Sequence, residues 1–178
     1  MKYKFLLLLL FLSFLSVSAR KTDKSYIMTY HENGSLFFIR PEPISKTKNP
    51  LIAEDLVFDL TYLTCNDSLS YTLTYVTTQQ FFPDSLCFQF TEEQYCSPVE
   101  IIYVDKGSSE WIYRVKLIIP FSLLEKMYLS ESSYQVNIHG KGNMLEYYYI
   151  PKKWIKERQK MNDIIDVIKM NKEIKNQL

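Results

Sequence analysis

Two runs of strict alternation in the middle of the chain constrain its fold more than any other feature. Leu56, Phe58, Leu60 and Tyr62 alternate with Val57, Asp59, Thr61 and Leu63. After Cys65-Asn66-Asp67-Ser68, Leu69, Tyr71, Leu73 and Tyr75 alternate with Ser70, Thr72 and Thr74. A period of two puts each apolar set on one face of a strand. The short polar turn makes the two strands antiparallel neighbours, with one face dry and one wetted.

The same pattern extends in both directions. Tyr26 to His31 and Leu36 to Arg40 flank Glu32-Asn33-Gly34-Ser35, and Asn-Gly between apolar runs signals a hairpin. Pro41-Glu42-Pro43 is expected to stop the second strand and open a surface loop through Pro50. Further strands are expected at Leu86 to Phe90, Val99 to Val104, Trp111 to Ile119, Tyr134 to Ile138 and Met144 to Ile150. Pro120 ends one of them, and Phe121 to Leu129 carries Leu123, Leu124, Met127 and Tyr128 at helical spacing, predicting a short connecting helix.

About nine short strands with no strand-helix-strand alternation predict an all-β fold. The expected form is an antiparallel two-layer β-sandwich, immunoglobulin-like or similar, spanning residues 20–150. Fourteen Tyr and eleven Phe against four Gly suit such half-buried pleated surfaces.

The two ends differ from this body. Residues 1–19 open with Met1, Lys2 and Lys4, continue with an apolar run from Phe5 to Val17, and leave it through Val17-Ser18-Ala19. That is the pattern of a secretory signal peptide cleaved near Ala19, and about 159 of the 178 residues then remain. The competing reading is an uncleaved membrane anchor, which the interruptions at Ser13 and Ser16 disfavour. Residues 151–178 begin with Pro151 and then lack Pro and Gly, while Trp154, Met161, Ile164, Ile165 and Ile168 fall along one stripe. One amphipathic α-helix packed on the domain, or extending from it, is expected there.

Charge and cysteines narrow the setting. Residues 20–150 carry 11 basic and 16 acidic side chains, a net of −5, and residues 151–178 carry 8 and 4, a net of +4. So mild a balance gives no footprint for nucleic acid, and a membrane contact is expected only if the leader stays attached. Cys65, Cys87 and Cys96 all lie in the exported part. Cys87 and Cys96 flank Phe88 to Tyr95 with Glu92-Glu93 as a turn, so they are the candidate disulfide; pairing of Cys65 with either one, or three free thiols, are the alternatives.

No catalytic pattern stands out. His31 and His139 have no second ligand at metal spacing, and no Gly-x-Ser-x-Gly elbow or phosphate loop occurs, so no cofactor or metal is expected. The carboxylate pairs Glu54-Asp55 and Glu92-Glu93 read as solvated turns. Tyrosines give the one suggestion of a ligand platform: Trp111, Tyr113, Tyr147 and Tyr149 would offer flat rings to a sugar or peptide if their face were outward. Asn33 and Asn66 head Asn-x-Ser acceptor triplets, and Ser68 and Ser85 sit in Asp-Ser-apolar triplets, so all four are candidate glycosylation positions in turns.

The expectation is therefore an exported, non-catalytic module that binds a protein or glycan of the cell envelope or exterior through loops or edge strands. Two other classes compete with it. One is a membrane-tethered envelope protein held by an uncleaved leader. The other is a secreted hydrolase using carboxylates from Asp55, Asp59 or Asp67.

Overall fold

The computed structural model describes residues 25–176. The expected leader at 1–19 lies outside them. Ten strands and two helices follow in the order β1 (Tyr26–His31), β2 (Gly34–Lys46), β3 (Leu56–Leu63), β4 (Ser68–Thr77), β5 (Ser85–Gln89), β6 (Gln94–Pro98), β7 (Glu100–Lys106), β8 (Trp111–Pro120), α1 (Phe121–Leu129), β9 (Gln135–Gly140), β10 (Asn143–Tyr148) and α2 (Pro151–Asn176).

All ten strands belong to one antiparallel sheet. Its order is β6-β5-β9-β10-β2-β3-β4-β8-β7, with β1 paired to β2 beside this path. The two ends of the order, β6 and β7, are joined by Val99 alone, so the sheet has to curl round on itself. The result is nearly a closed barrel. The all-β antiparallel class and the C-terminal helix agree with the sequence expectation. The two layers of a sandwich, however, are here continuous through β2, which pairs with β1 and β3 in its first half and with β3 and β10 in its second.

The alternation read in the sequence places side chains as expected. In β3, Leu56, Phe58, Leu60 and Tyr62 are buried, and across the hairpin Leu60 faces Tyr71 while Phe58 faces Leu73. The rings of Phe58 and Tyr71 stack at 5.2 Å. In β8, Tyr113, Val115, Leu117 and Ile119 turn inward. On the opposite face Arg114 donates to Asp59 at 2.8 Å and to Thr74 at 3.0 Å, tying three adjacent strands together.

Strand β2 departs from the expected stop at Pro41. It runs on to Lys46, with its register shifting between Ile39 and Glu42. A bulge leaves a residue without a ladder partner, so it is a place where proline's missing N–H does no harm. Pairing with β1 ends at Ile39 and pairing with β10 starts at Ser45, so Pro43 sits on a stretch flanked by a strand on one side only. Strand β6 is also an addition to the expected nine: the Glu92-Glu93 turn closes a β5–β6 hairpin that places Cys87 directly opposite Cys96.

Helix α2 packs its apolar stripe inward. Trp154, Met161, Ile164, Ile165 and Ile168 are all buried, and five such side chains contribute on the order of 10 kcal/mol of gross burial free energy. Polar contacts fix its seat on α1. Arg158 donates to the main-chain oxygens of Tyr128 and Leu129 at 3.2 Å each, satisfying carbonyls at the end of α1. The Trp154 indole donates to the Glu131 carbonyl at 2.9 Å, and Lys169 pairs with Glu125 at 2.6 Å. No described helix is long and apolar enough to cross a membrane.

Candidate binding surface

The aromatic residues expected to form a ligand platform are mostly inside. Tyr113, Tyr147 and Tyr149 are buried, and Trp111 is half-buried with the Lys106 ammonium 5.3 Å from its ring centre. In β3, β4, β8 and β10 the inward face carries whole phenol rings, those of Tyr62, Tyr71, Tyr75, Tyr113 and Tyr147. Tyr113 stacks on Tyr75 at 5.2 Å, and its hydroxyl accepts the Phe81 amide at 2.8 Å. These rings are core, and they offer no exposed plane to a sugar.

Tyr149 takes part in a closed polar cluster. The hydroxyls of Tyr128, Tyr134 and Tyr149 form a triangle with sides of 3.1, 3.2 and 3.5 Å, and the Tyr71 hydroxyl reaches Tyr134 at 3.5 Å. Each hydroxyl has one proton to donate. When the triangle donates around its perimeter, all three of its protons are used, and Tyr71 supplies the fourth bond to Tyr134. Burial pushes all four groups well above the ordinary phenol range. The cluster is therefore neutral at ordinary pH, and its hydroxyls satisfy one another. Trp154 of α2 closes it off, stacked on Tyr128 at 5.6 Å.

The carboxylates of the hydrolase reading are not brought together. Asp55 accepts the Lys46 amide at 2.9 Å just before β3, Asp59 is bound by Arg114 in mid-strand, and Asp67 is exposed in the turn beyond the far end. Asp55 and Asp59 are separated by roughly 13 Å along an extended chain, beyond the reach of a glycosidase acid and base pair. His31 is exposed and His139 half-buried. Among the described residues, no three His, Cys, Asp or Glu side chains gather as a metal site.

Cys87 and Cys96 are bonded, while Cys65 is a free thiol on the surface. Asn33 and Asn66 are exposed in the β1–β2 and β3–β4 turns. Ser68 and Ser85 are half-buried first residues of their strands, and the Ser85 hydroxyl donates to Asp84 at 2.7 Å.

The surface feature that the sequence did not single out is β7. Every one of its seven residues is exposed, and the run Ile101, Ile102, Tyr103, Val104 is 43–47% accessible. Strand β7 pairs with β8 on one side and with no described strand on the other. The β7–β8 ladder ends at Glu100 opposite Lys116, and beyond it β6 comes near β8 instead. Where the two strands diverge lies an open groove of about 340 Å³, walled by Ser97, Val99, Leu117 and Ile118, with the Glu100–Lys116 pair at its mouth. Ile118 is itself 53% exposed. Four consecutive exposed apolar residues on a sheet edge are a liability unless something pairs with them.

The signal for this in the sequence was the run Ile101-Ile102-Tyr103-Val104, apolar at both strand parities, between Glu100 and Asp105-Lys106. A strand buried on both faces reads the same way. The chain matches no protein-family model, no curated protein and no solved structure at a significant level.

Proposed function

We propose that this protein is an exported, non-catalytic binding module that captures an extended polypeptide segment by strand addition at β7. The observation that carries the reading is the edge itself: seven exposed residues, four of them apolar in succession, with one side of the strand unpaired among the described residues. In strand addition, main-chain hydrogen bonds give affinity and a neighbouring pocket gives specificity. The groove at Val99, Leu117 and Ile118 lies at the start of β7 and suits one apolar side chain of the incoming segment, while Glu100 and Lys116 favour polar neighbours beside it.

Export is part of this proposal. It is supported by the leader pattern of residues 1–19 and by the Cys87–Cys96 bond, which persists in an oxidising compartment. Glycans at Asn33, Asn66, Ser68 or Ser85 belong to the same proposal, and all four lie away from β7 in sequence, in turns or at strand starts.

The test is selection of a displayed random-peptide library on the chain from Arg20 to Leu178, repeated on a Val104→Pro variant, since the Gly107 amide bonds the Glu110 carbonyl and the alternation from there turns the Val104 amide away from β8. Proline there removes a main-chain donor from an exposed edge without opening the core. Enriched peptides with alternating apolar residues that lose binding to the variant support strand addition. No enrichment, or enrichment indifferent to the variant, overturns it.

A further inference from the structure

Strand β2 has an open flank where β1 has ended and β10 has not yet begun. Pairing with β1 stops at Tyr26 opposite Ile39, and pairing with β10 starts at Tyr148 opposite Ser45. Between them the Arg40 amide donates to the Ser25 carbonyl at 2.8 Å, and Glu42 and Pro43 have a described strand, β3, on one side alone. Helix α2 lies across this gap and leaves a cleft of about 360 Å³, with Ser25, Glu42, Pro43 and Tyr149 on the sheet side. That volume suits a small ligand.

Lys153, Lys156, Glu157 and Lys160 form the helix wall, at spacings of three and four that put them on one face. Their charges are sorted by depth. The inner group is Glu157, Lys160 and Glu42, with side chains 9%, 18% and 31% accessible, and it holds two carboxylates for one ammonium. One oxygen of Glu157 meets Lys160 at 3.1 Å, and the other has no hydrogen-bond partner. The outer group is basic. Lys153 is 51% accessible with Asp55 4.0 Å away, and Lys156 is exposed with no ion pair among the described residues.

We infer that this cleft binds a small zwitterion, a free amino acid or a short peptide, with its ammonium against Glu42 and its carboxylate at Lys153 and Lys156. An ammonium completes an inner group that is one cation short. Bound to Glu42, it leaves Lys160 to serve Glu157 alone, and a carboxylate nine-tenths buried gains most from an undivided partner. Burial, opposed by Lys160 and aided by Glu42, pushes Glu157 up to about 7, and a carboxyl displaced in this way at the wall of a cleft is a mark of functional sites. A simple anion would satisfy the lysines and leave the inner acids as they are, while a simple amine would leave the lysines unmatched. A molecule with both charges suits both ends.

The cleft is separate from the β7 edge. Strands β3, β4 and β8 lie between β2 and β7 in the sheet order, so this inference neither rests on strand addition nor falls with it.

Isothermal titration calorimetry of the chain from Arg20 to Leu178 at pH 7 tests it, with the free L-amino acids and their homodipeptides as probes. The best probe should bind with a dissociation constant of about 1 mM or tighter. Its N-acetyl and its amide derivatives each lack one charge, and each should bind about tenfold more weakly or worse. Glu42→Gln should cause the same loss, as should Lys153→Gln combined with Lys156→Gln. Glu42→Gln leaves Lys160 paired with Glu157, the two lysines are exposed, and circular dichroism verifies that the variants are folded.

A free amino acid that binds more tightly than its dipeptide identifies the occupant as a free amino acid, and the reverse order identifies a peptide; either supports the zwitterion. The inference is overturned when no probe binds at about 10 mM, when an N-acetyl or amide form binds as tightly as its parent, or when Glu42→Gln leaves the affinity unchanged.

Discussion

One carboxylate oxygen of Glu157 meets the Lys160 ammonium at 3.1 Å, while its other oxygen is buried with no hydrogen-bond partner. Lys160 is shared with Glu42 on β2, so two carboxylates draw on one cation. Glu157 is only 7% exposed, at the place where α2 covers the barrel. Burial is the main influence on it, followed by attraction from Lys160 and repulsion from Glu42, and together they push its carboxyl up to about 7.

That displacement makes stability depend on pH in a definite direction. The unfolded chain holds Glu157 at the ordinary value of 4.5, so between pH 4.5 and 7 the native state binds more of this proton than the unfolded state does. The group's stabilisation is complete below pH 4.5 and is lost as pH rises through about 7, a fall of about 3 kcal/mol by pH 8. Glu157→Gln removes the proton and should flatten that part of the profile, leaving the variant more stable than the wild type at pH 8. Urea unfolding of both proteins from pH 4.5 to 8.5 reads it. Equal declines in the two would show that Glu157 is not the group responsible.

The tyrosine cluster predicts unequal costs for similar substitutions. Tyr134 contacts all three of its neighbours, whereas Tyr71 contacts Tyr134 alone. Tyr134→Phe leaves one contact among the three remaining buried hydroxyls, between Tyr128 and Tyr149, and strands Tyr71 altogether. The expected cost is about 3 kcal/mol. Tyr71→Phe keeps the triangle intact and should cost about 1 kcal/mol. Chemical denaturation of both variants checks the order, and a larger loss for Tyr71→Phe would mean that the triangle is not the stabilising unit.

Much of the barrel was legible because most strands bury a single face. In β3 and β8, alternation alone identified the inward residues, and the Glu92-Glu93 turn identified the Cys87–Cys96 pair. Strand β7 was legible as a strand, yet its apolar residues look the same whether they face a core or a partner. What separates the two cases is the closing geometry of the sheet, which no local pattern contains. The tyrosine platform failed for a related reason: the pattern showed a shared face at Trp111 and Tyr113, and burial decided that most of this face was interior. Glu157 left a clearer trace. It occupies the gap in the stripe between Trp154 and Met161, where an apolar residue would continue the helix face, and a carboxylate at such a position signals a buried charge.

Gly140 combines a legible turn with an approach that only the structure reveals. Gly140-Lys141-Gly142-Asn143 closes the β9–β10 hairpin, with Lys141 and Gly142 both at positive φ. A Cβ on Gly140 would press on the main-chain oxygen of Phe82 and lie 2.9 Å from its carbonyl carbon. The segment that carries Phe82 has little room to retreat, because the Phe81 amide donates to Tyr113 at 2.8 Å and the Asp84 amide to the His139 carbonyl at 3.0 Å. Gly140→Ala should therefore cost about 3 kcal/mol, since backbone must move in a packed region. Gly142→Ala meets open space and carries only the strain of its φ of 84°, about 1 kcal/mol. Denaturant midpoints of the two alanine variants decide between them. A Gly140→Ala protein as stable as Gly142→Ala would mean that the 81–84 segment does not cross the hairpin as closely as described.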